Sequence, residues 1–226
     1  MQTDCFSSLP KKRKKVVIIL RTTYKLTNQT KEVNGMTLHR IRALPGNKFA
    51  VVGTYGGWIE REENLSDGAW VADNACVFGN AAVFGNTLIE DDAQIYGDAK
   101  IHGETEEPLT VSWDLKVHGG DWTEIPYYGS GAIWTINISS PDTVRIGCRD
   151  YSFERWKKSF PAIIRAYRSE QIDEKGVIEC ADAYNTICRR YGKESYMVNI
   201  AEILDTWHSE RAKAIAAIAA RVLGNA

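Results

Sequence analysis

Eight aliphatic residues, Ile59, Leu65, Val71, Val77, Val83, Ile89, Ile95 and Ile101, recur at every sixth position without a miss. Four places after most of them stands a small residue: Ala69, Ala75, Ala81, Thr87, Ala93, Ala99 and Thr105. Just before it comes a turn-forming pair, as in Asp73-Asn74, Gly79-Asn80, Gly85-Asn86, Asp91-Asp92 and Gly97-Asp98. Gly, Asn and Asp tolerate the backbone angles of tight corners. A period of six matches neither the 3.6 of a helix nor the two of an ordinary strand. It fits a short strand, a corner and another short strand, with one aliphatic and one small residue turned inward on each side.

These hexads resemble the hexapeptide-repeat family, over residues 58–105. The resemblance implies a left-handed parallel β-helix of triangular section, here of about three coils and ~13 Å tall at the usual strand spacing. Upstream, Tyr24 to Leu44, Gly56-Gly57-Trp58-Ile59-Glu60 and Asn64-Leu65-Ser66 are similar to small phage- and prophage-encoded hexapeptide proteins, mostly of unassigned function. The expected fold class is therefore mainly β with α: a short β-helix flanked by β segments and followed by a helical region. The expected divisions are a basic extension (1–22), a β domain (23–149) with the β-helix at 58–107, and an α-helical region (150–226). So short a prism exposes unpaired strand edges at both ends. Residues 37–57 are expected to cover one end and Leu109 to Ile146 the other, with apolar alternation at Trp134 to Ile138.

Charge is strongly segregated within a chain whose net charge is only −1. Residues 1–57 carry 11 basic and 2 acidic side chains, whereas residues 58–107 carry 2 and 12. The basic excess centres on Lys11 to Lys15, either a nuclear-localisation or nucleic-acid-binding tract or a solvated tail. In the β-helix segment Glu60, Glu62, Glu63, Asp67, Glu90, Asp91, Asp92, Glu104, Glu106 and Glu107 ring the corners and ends. Carboxylates on turns ordinarily only solvate, but a deficit of this size also steers basic partners, a nucleic-acid-binding host protein among them.

Three hexads per coil stack residues 18 apart. Phe78 then lies on Tyr96, Phe84 on His102 and Trp70 on Leu88, giving outer faces with large apolar groups. Two readings are open: cover by the chain's own terminal strands or helices, or a subunit or partner interface formed by these six residues.

From Asp150 the period becomes helical. Asn199 and Glu202 form a capping box, and Ile200, Ile203, Leu204, Trp207, Ala214, Ile215, Ile218 and Val222 share one face. An earlier helix is expected from Val177 to Tyr191, with Ile178, Ala181, Tyr184, Ile187 and Cys188 inward. A third, around Phe153 to Arg168, contains Pro161, which should kink or divide it.

No catalytic constellation is read from the sequence, and no cofactor or metal. The five cysteines (5, 76, 148, 180 and 188) form no C-x-x-C and suit a reducing compartment. Cys76 faces outward by the repeat register. His39, His102, His118 and His208 are the candidates for the general base of the superfamily's acyl transfer, with His102 foremost. The expectation is a non-enzymatic, homo-oligomeric (dimeric or trimeric) phage protein of the bacterial cytoplasm that occupies a host factor. A hexapeptide acyltransferase, a virion or scaffold part, and a small-molecule sponge are the alternatives. The sponge requires a pocket between subunits or between prism and helices.

Overall fold

The computed structural model describes residues 22–130, 134–166 and 173–224, so the basic run at 11–15 lies outside the described residues. The hexads wind into a β-solenoid of about four turns. One face stacks β3 (Tyr55–Ile59), β5 (Cys76–Val77), β8 (Gln94–Ile95) and β11 (Lys116–Val117) in parallel. A second stacks β4 (Trp70–Val71), β7 (Thr87–Ile89) and β10 (Leu109–Val111). The third stacks β6 (Ala82–Gly85), β9 (Lys100–Gly103) and β12 (Asp121–Trp122), with Leu65 bridged to Val83 above them. All eight hexad aliphatics are buried, none more than 2 % exposed. They form the solenoid's dry interior, with Ala75, Ala81, Ala93 and Ala99 between them.

The corners explain the recurring Gly/Asn/Asp pairs. The chain turns through left-handed backbone at Asp67, Asp73 and Asp91, at φ of 51°, 50° and 57°, and at Gly79, Gly85 and Gly97. These are residues for which that region is least costly.

Beyond Gly103 the solenoid outlasts the strict repeat. Trp58, Cys76 and Gln94 pair at steps of 18 residues, but the next partner of Gln94 is Lys116, and that of Lys100 is Asp121. Extra residues at 104–107 lengthen one corner, after which Leu109, Val111, Leu115, Val117 and Trp122 resume the interior. The stretch from Leu109 was expected to close the end; its first part instead winds on as solenoid.

Both ends are closed by antiparallel strands. At the first, the hairpin β1 (Tyr24–Val33) and β2 (Met36–Ala43) adds to β3 and extends that sheet to six strands. The Tyr24 hydroxyl donates to the Leu65 carbonyl at 2.8 Å, pinning the hairpin to the first turn. At the other end β13 (Tyr128–Ser130), β14 (Thr135–Ser140), β15 (Thr143–Ile146) and β16 (Arg149–Ser152) form a four-stranded sheet. Asn137 Nδ2 donates to the Lys116 carbonyl at 2.8 Å, and the His118 amide to the Ser139 carbonyl at 2.8 Å. Ile136, Ile138, Val144 and Ile146 continue the apolar interior into this cap.

Three helices pack on the cap: α1 (Phe153–Ala166), α2 (Glu174–Arg190) and α3 (Ile200–Gly224). Trp156 Nε1 donates to the Val144 carbonyl at 2.6 Å, and the buried Tyr184 hydroxyl to the Phe153 carbonyl at 3.0 Å. One apolar cluster runs from Tyr24 through the solenoid and cap to Trp207. α1 continues through Pro161 undivided. α2 begins earlier than expected, capped by Asp173, whose Oδ1 accepts from the Gly176 amide at 2.8 Å. Val177 and Cys180 take the inward places, and Ile178 is partly exposed. In α3 the Asn199 cap holds, its Oδ1 accepting from the Ala201 amide at 3.0 Å. Of the expected face, Ile203 and Trp207 are buried and Ala214 and Ile215 are exposed, while the side chains of Ile218 and Val222 lie outside the described residues. Among the described residues no helix is long and apolar enough to cross a membrane.

Candidate functional site

Residues flanking each inward aliphatic face outward, and on the six-stranded sheet they build two ladders. One runs Trp58, Cys76, Gln94, Lys116. In the other, Phe78 lies 5.2 Å from Tyr96 with rings 6° from parallel, and Tyr96 lies 5.7 Å from His118. The hairpin folds over the upper rungs. Val33 and Leu38 pack on Cys76 and Phe78, and Lys31 reaches the Asn74 carbonyl at 3.2 Å and the Trp58 ring at 4.7 Å. Phe78 is consequently 1 % exposed, and Cys76, expected to face outward, lies under this cover. Burial raises the Cys76 thiol pKa, with Lys31 partly opposing.

Trp70 pairs with Leu88 in register, yet its indole lies over the solenoid's first end, against Ile41 and the bare backbone of Gly56. At 2 % exposure it is core. Trp70 and Phe78 are therefore corrected from interface to interior, which leaves Phe84, Leu88, Tyr96 and His102 half-buried on the outside. Phe84 and His102 stack at 4.5 Å and 7°. His102 stands between two carboxylates, Nε2 at 2.8 Å from Asp121 and Nδ1 at 3.3 Å from Glu104.

The acidic residues are spread over several corners. Glu60, Glu62 and Glu63 surround the first turn, where Glu60 accepts from the Gly79 amide at 2.7 Å and lies 3.7 Å from Arg61. Glu104, Glu106 and Glu107 occupy the lengthened corner, tied down by Asn86 Nδ2 donating to the Thr105 and Glu106 carbonyls. Glu90, Asp91 and Asp92 share a third corner with Asp73. There the Asp91 amide donates to Asp73 Oδ2 at 3.5 Å, and the Trp113 amide to Asp91 Oδ2 at 2.9 Å. Burial raises the Glu90 carboxyl pKa, and the neighbouring Asp91 and Asp73 charges push it further. Among the described residues no cation lies within ion-pairing distance of Asp73, Glu90, Asp91 or Asp92.

Trp113 sits at the position of this corner that Asp73 and Asp91 hold in the turns above. It takes left-handed backbone at φ 61° and is 61 % exposed, its ring 5.0 Å from Tyr128. A bulky residue in that region is strained. Beside it a groove of about 410 Å³ opens between the solenoid, at Asp92, Asp114 and Lys116, and the cap, at Trp134, Arg145 and Cys148. Asp114 accepts from the Tyr128 hydroxyl at 2.6 Å and from Thr135 Oγ1 at 3.3 Å. Burial lowers the Lys116 ammonium pKa and the Arg145 charge lowers it further, with Asp114 opposing. Behind the groove His118 Nε2 lies 3.2 Å from Asp150, which also accepts from Ser139 at 2.7 Å.

Comparison with protein-family models, with curated proteins and with solved structures finds no match for this chain. Sequence reading missed Asp73 as a member of the acidic corner, and Trp113, Lys116 and Arg145 altogether. The available signal was the aliphatic series Leu109, Val111, Leu115 and Val117, which continues the interior once four residues are skipped.

Proposed function

We propose that this chain is a non-enzymatic binding protein of the hexapeptide-repeat, left-handed β-helix kind, encoded by a phage or prophage. In this reading it occupies a basic host protein, such as a nucleic-acid-binding defence component, through the corner formed by Asp73, Glu90, Asp91, Asp92 and the adjoining Trp113. The carrying observation is that these carboxylates are stacked on one another without neutralisation by Lys or Arg. Crowded like charge costs stability, and its use is a local field that accelerates encounter with a positive surface. The exposed Trp113 indole supplies the aromatic anchor that such interfaces concentrate their energy in. A second copy joins through the distal half of α3, where Ala212, Ala214, Ile215, Ala216 and Ala217 are exposed.

The test is affinity capture from a bacterial host at low and high salt, using the wild-type chain and a triple variant, Asp73→Asn, Asp91→Asn and Asp92→Asn. A stoichiometric basic partner retained by the wild type, lost in the variant and released by salt supports the reading. Capture of nothing, or of a partner indifferent to the variant, refutes it.

A further inference from the structure

We propose that the groove between the solenoid and its cap sheet is a binding site for a small organic anion, a phosphate- or carboxylate-bearing molecule held between Lys116 and Arg145. Lys116 comes from the last rung of the six-stranded face, and Arg145 from β15 of the cap. They are brought together by β14. Asn137 donates to the Lys116 carbonyl from one side and pairs in register with Arg145 on the other. Among the described residues neither cation has a carboxylate within ion-pairing distance.

Asp92 lines the groove without pairing to either cation, and the two other acids nearby have hydrogen-bond partners of their own. Asp114 is turned to Tyr128 and Thr135, and Asp150 to His118 and Ser139. Two like charges converging in a half-enclosed groove repel, and an anion placed between them removes that cost. The groove's volume suits a small molecule, and Trp134 provides an indole wall for a planar group. Asp92 and Gln94, on the solenoid wall, offer acceptors for amino or hydroxyl donors on the same ligand. This site lies beside the acidic corner but is of opposite chemistry, so it stands whether or not that corner meets a protein.

The experiment is isothermal titration of the full chain at low salt with AMP, ribose 5-phosphate and benzoate. Together these separate the phosphate, the carboxylate and the ring. At least one probe is expected to bind, with affinity falling about tenfold in Arg145→Gln or Lys116→Gln. Lys100→Gln, the same charge change on another face, leaves binding unaltered. Unchanged thermal midpoints establish that the variants fold. Cys148 gives a second readout, because it is exposed at the groove while Cys76, Cys180 and Cys188 are buried. Ligand is expected to slow maleimide labelling of Cys148 several-fold, read peptide by peptide. No heat and no protection with any probe at about 10 mM overturns the assignment, as does binding undiminished in both groove variants.

Discussion

Gly97 is the position at which the stacking of the solenoid can be read most directly as a free energy. It turns a corner at φ 61°, and a Cβ built there would stand 2.3 Å from the His118 carbonyl oxygen of the next rung. That same oxygen accepts from the Asp98 amide at 3.0 Å. In Gly97→Ala the left-handed backbone alone costs about 1–2 kcal/mol. Relieving the overlap also requires the rungs to separate by about 1 Å, which stretches the adjacent hydrogen bond and costs about 1–2 kcal/mol more. Two glycines serve as internal references. Gly68, at φ 83°, has nothing within 4 Å of its Cβ direction and should show the backbone cost only. Gly79, at φ 68°, meets its nearest atom, the Gly97 amide nitrogen, at 3.1 Å and should fall between. Equilibrium urea unfolding of the three alanine variants should therefore rank Gly68, Gly79, Gly97 in order of increasing loss, with about 1–2 kcal/mol between the ends. If Gly97→Ala lost no more than Gly68→Ala, the close rung contact would not exist, and the corner geometry would be wrong.

The His118–Asp150 pair ties the solenoid to its cap and should make stability depend on pH. The hydrogen bond with Asp150 raises the His118 pKa, so its contribution is complete below about pH 6.5 and is lost as pH rises through the raised value. Burial raises the Asp150 pKa, but hydrogen bonds from His118 and Ser139 prevail and hold it low. Its contribution is therefore lost only in acid, as pH falls through that lowered value. Thermal midpoints at about pH 6 and about pH 8.5 should differ in the wild type and converge in His118→Gln; an equal drop in both would exclude the pair as the cause. Asn185 is 4 % exposed and clamps α2 to the segment before α3, accepting from the Val198 amide at 2.9 Å and donating to its carbonyl at 3.0 Å. Asn185→Ala should cost about 2–3 kcal/mol in urea unfolding, whereas Asn80→Ala, at an exposed corner, should cost little. Ending the chain after Glu210 should leave the thermal midpoint at low concentration nearly unchanged and reduce the mass seen by light scattering to that of one chain; an unaltered mass would remove α3 from the subunit contact.

The interior of the solenoid was legible because one physical requirement, an aliphatic residue at each inward strand position, repeats without interruption from Ile59 to Ile101. The stacks of Phe78 on Tyr96 and Phe84 on His102 followed from the same arithmetic. What covers those stacks was not legible. The hairpin that seals Phe78 reaches it through Val33 and Leu38, some forty residues earlier, and no local period records a long-range fold-back. Trp70 misled for a related reason. Its register is that of an outward residue, but there is no rung above it, so its ring swings over the open end. In α3 Ala214 and Ile215 continue the 3–4 spacing yet are exposed, and periodicity alone does not distinguish a face that is buried from one that is merely apolar.

The four extra residues at 104–107 connect these observations to the site. In the strict part of the repeat every outward place is stacked on its counterpart 18 residues away, and the corners take Gly or Asp, for which left-handed backbone costs least. Once the step changes from 18 residues to 22, the last turn no longer inherits its neighbours' chemistry. Trp113 then stands where two aspartates stood, and Lys116 follows Cys76 and Gln94 on an otherwise uncharged ladder. This last turn is also the one that meets the cap, whose Arg145 and Trp134 face it across the groove. The break in the period thus leaves two cations without ion pairs among the described residues, an exposed indole and an exposed thiol together at the junction of solenoid and cap, where variation is least constrained by stacking.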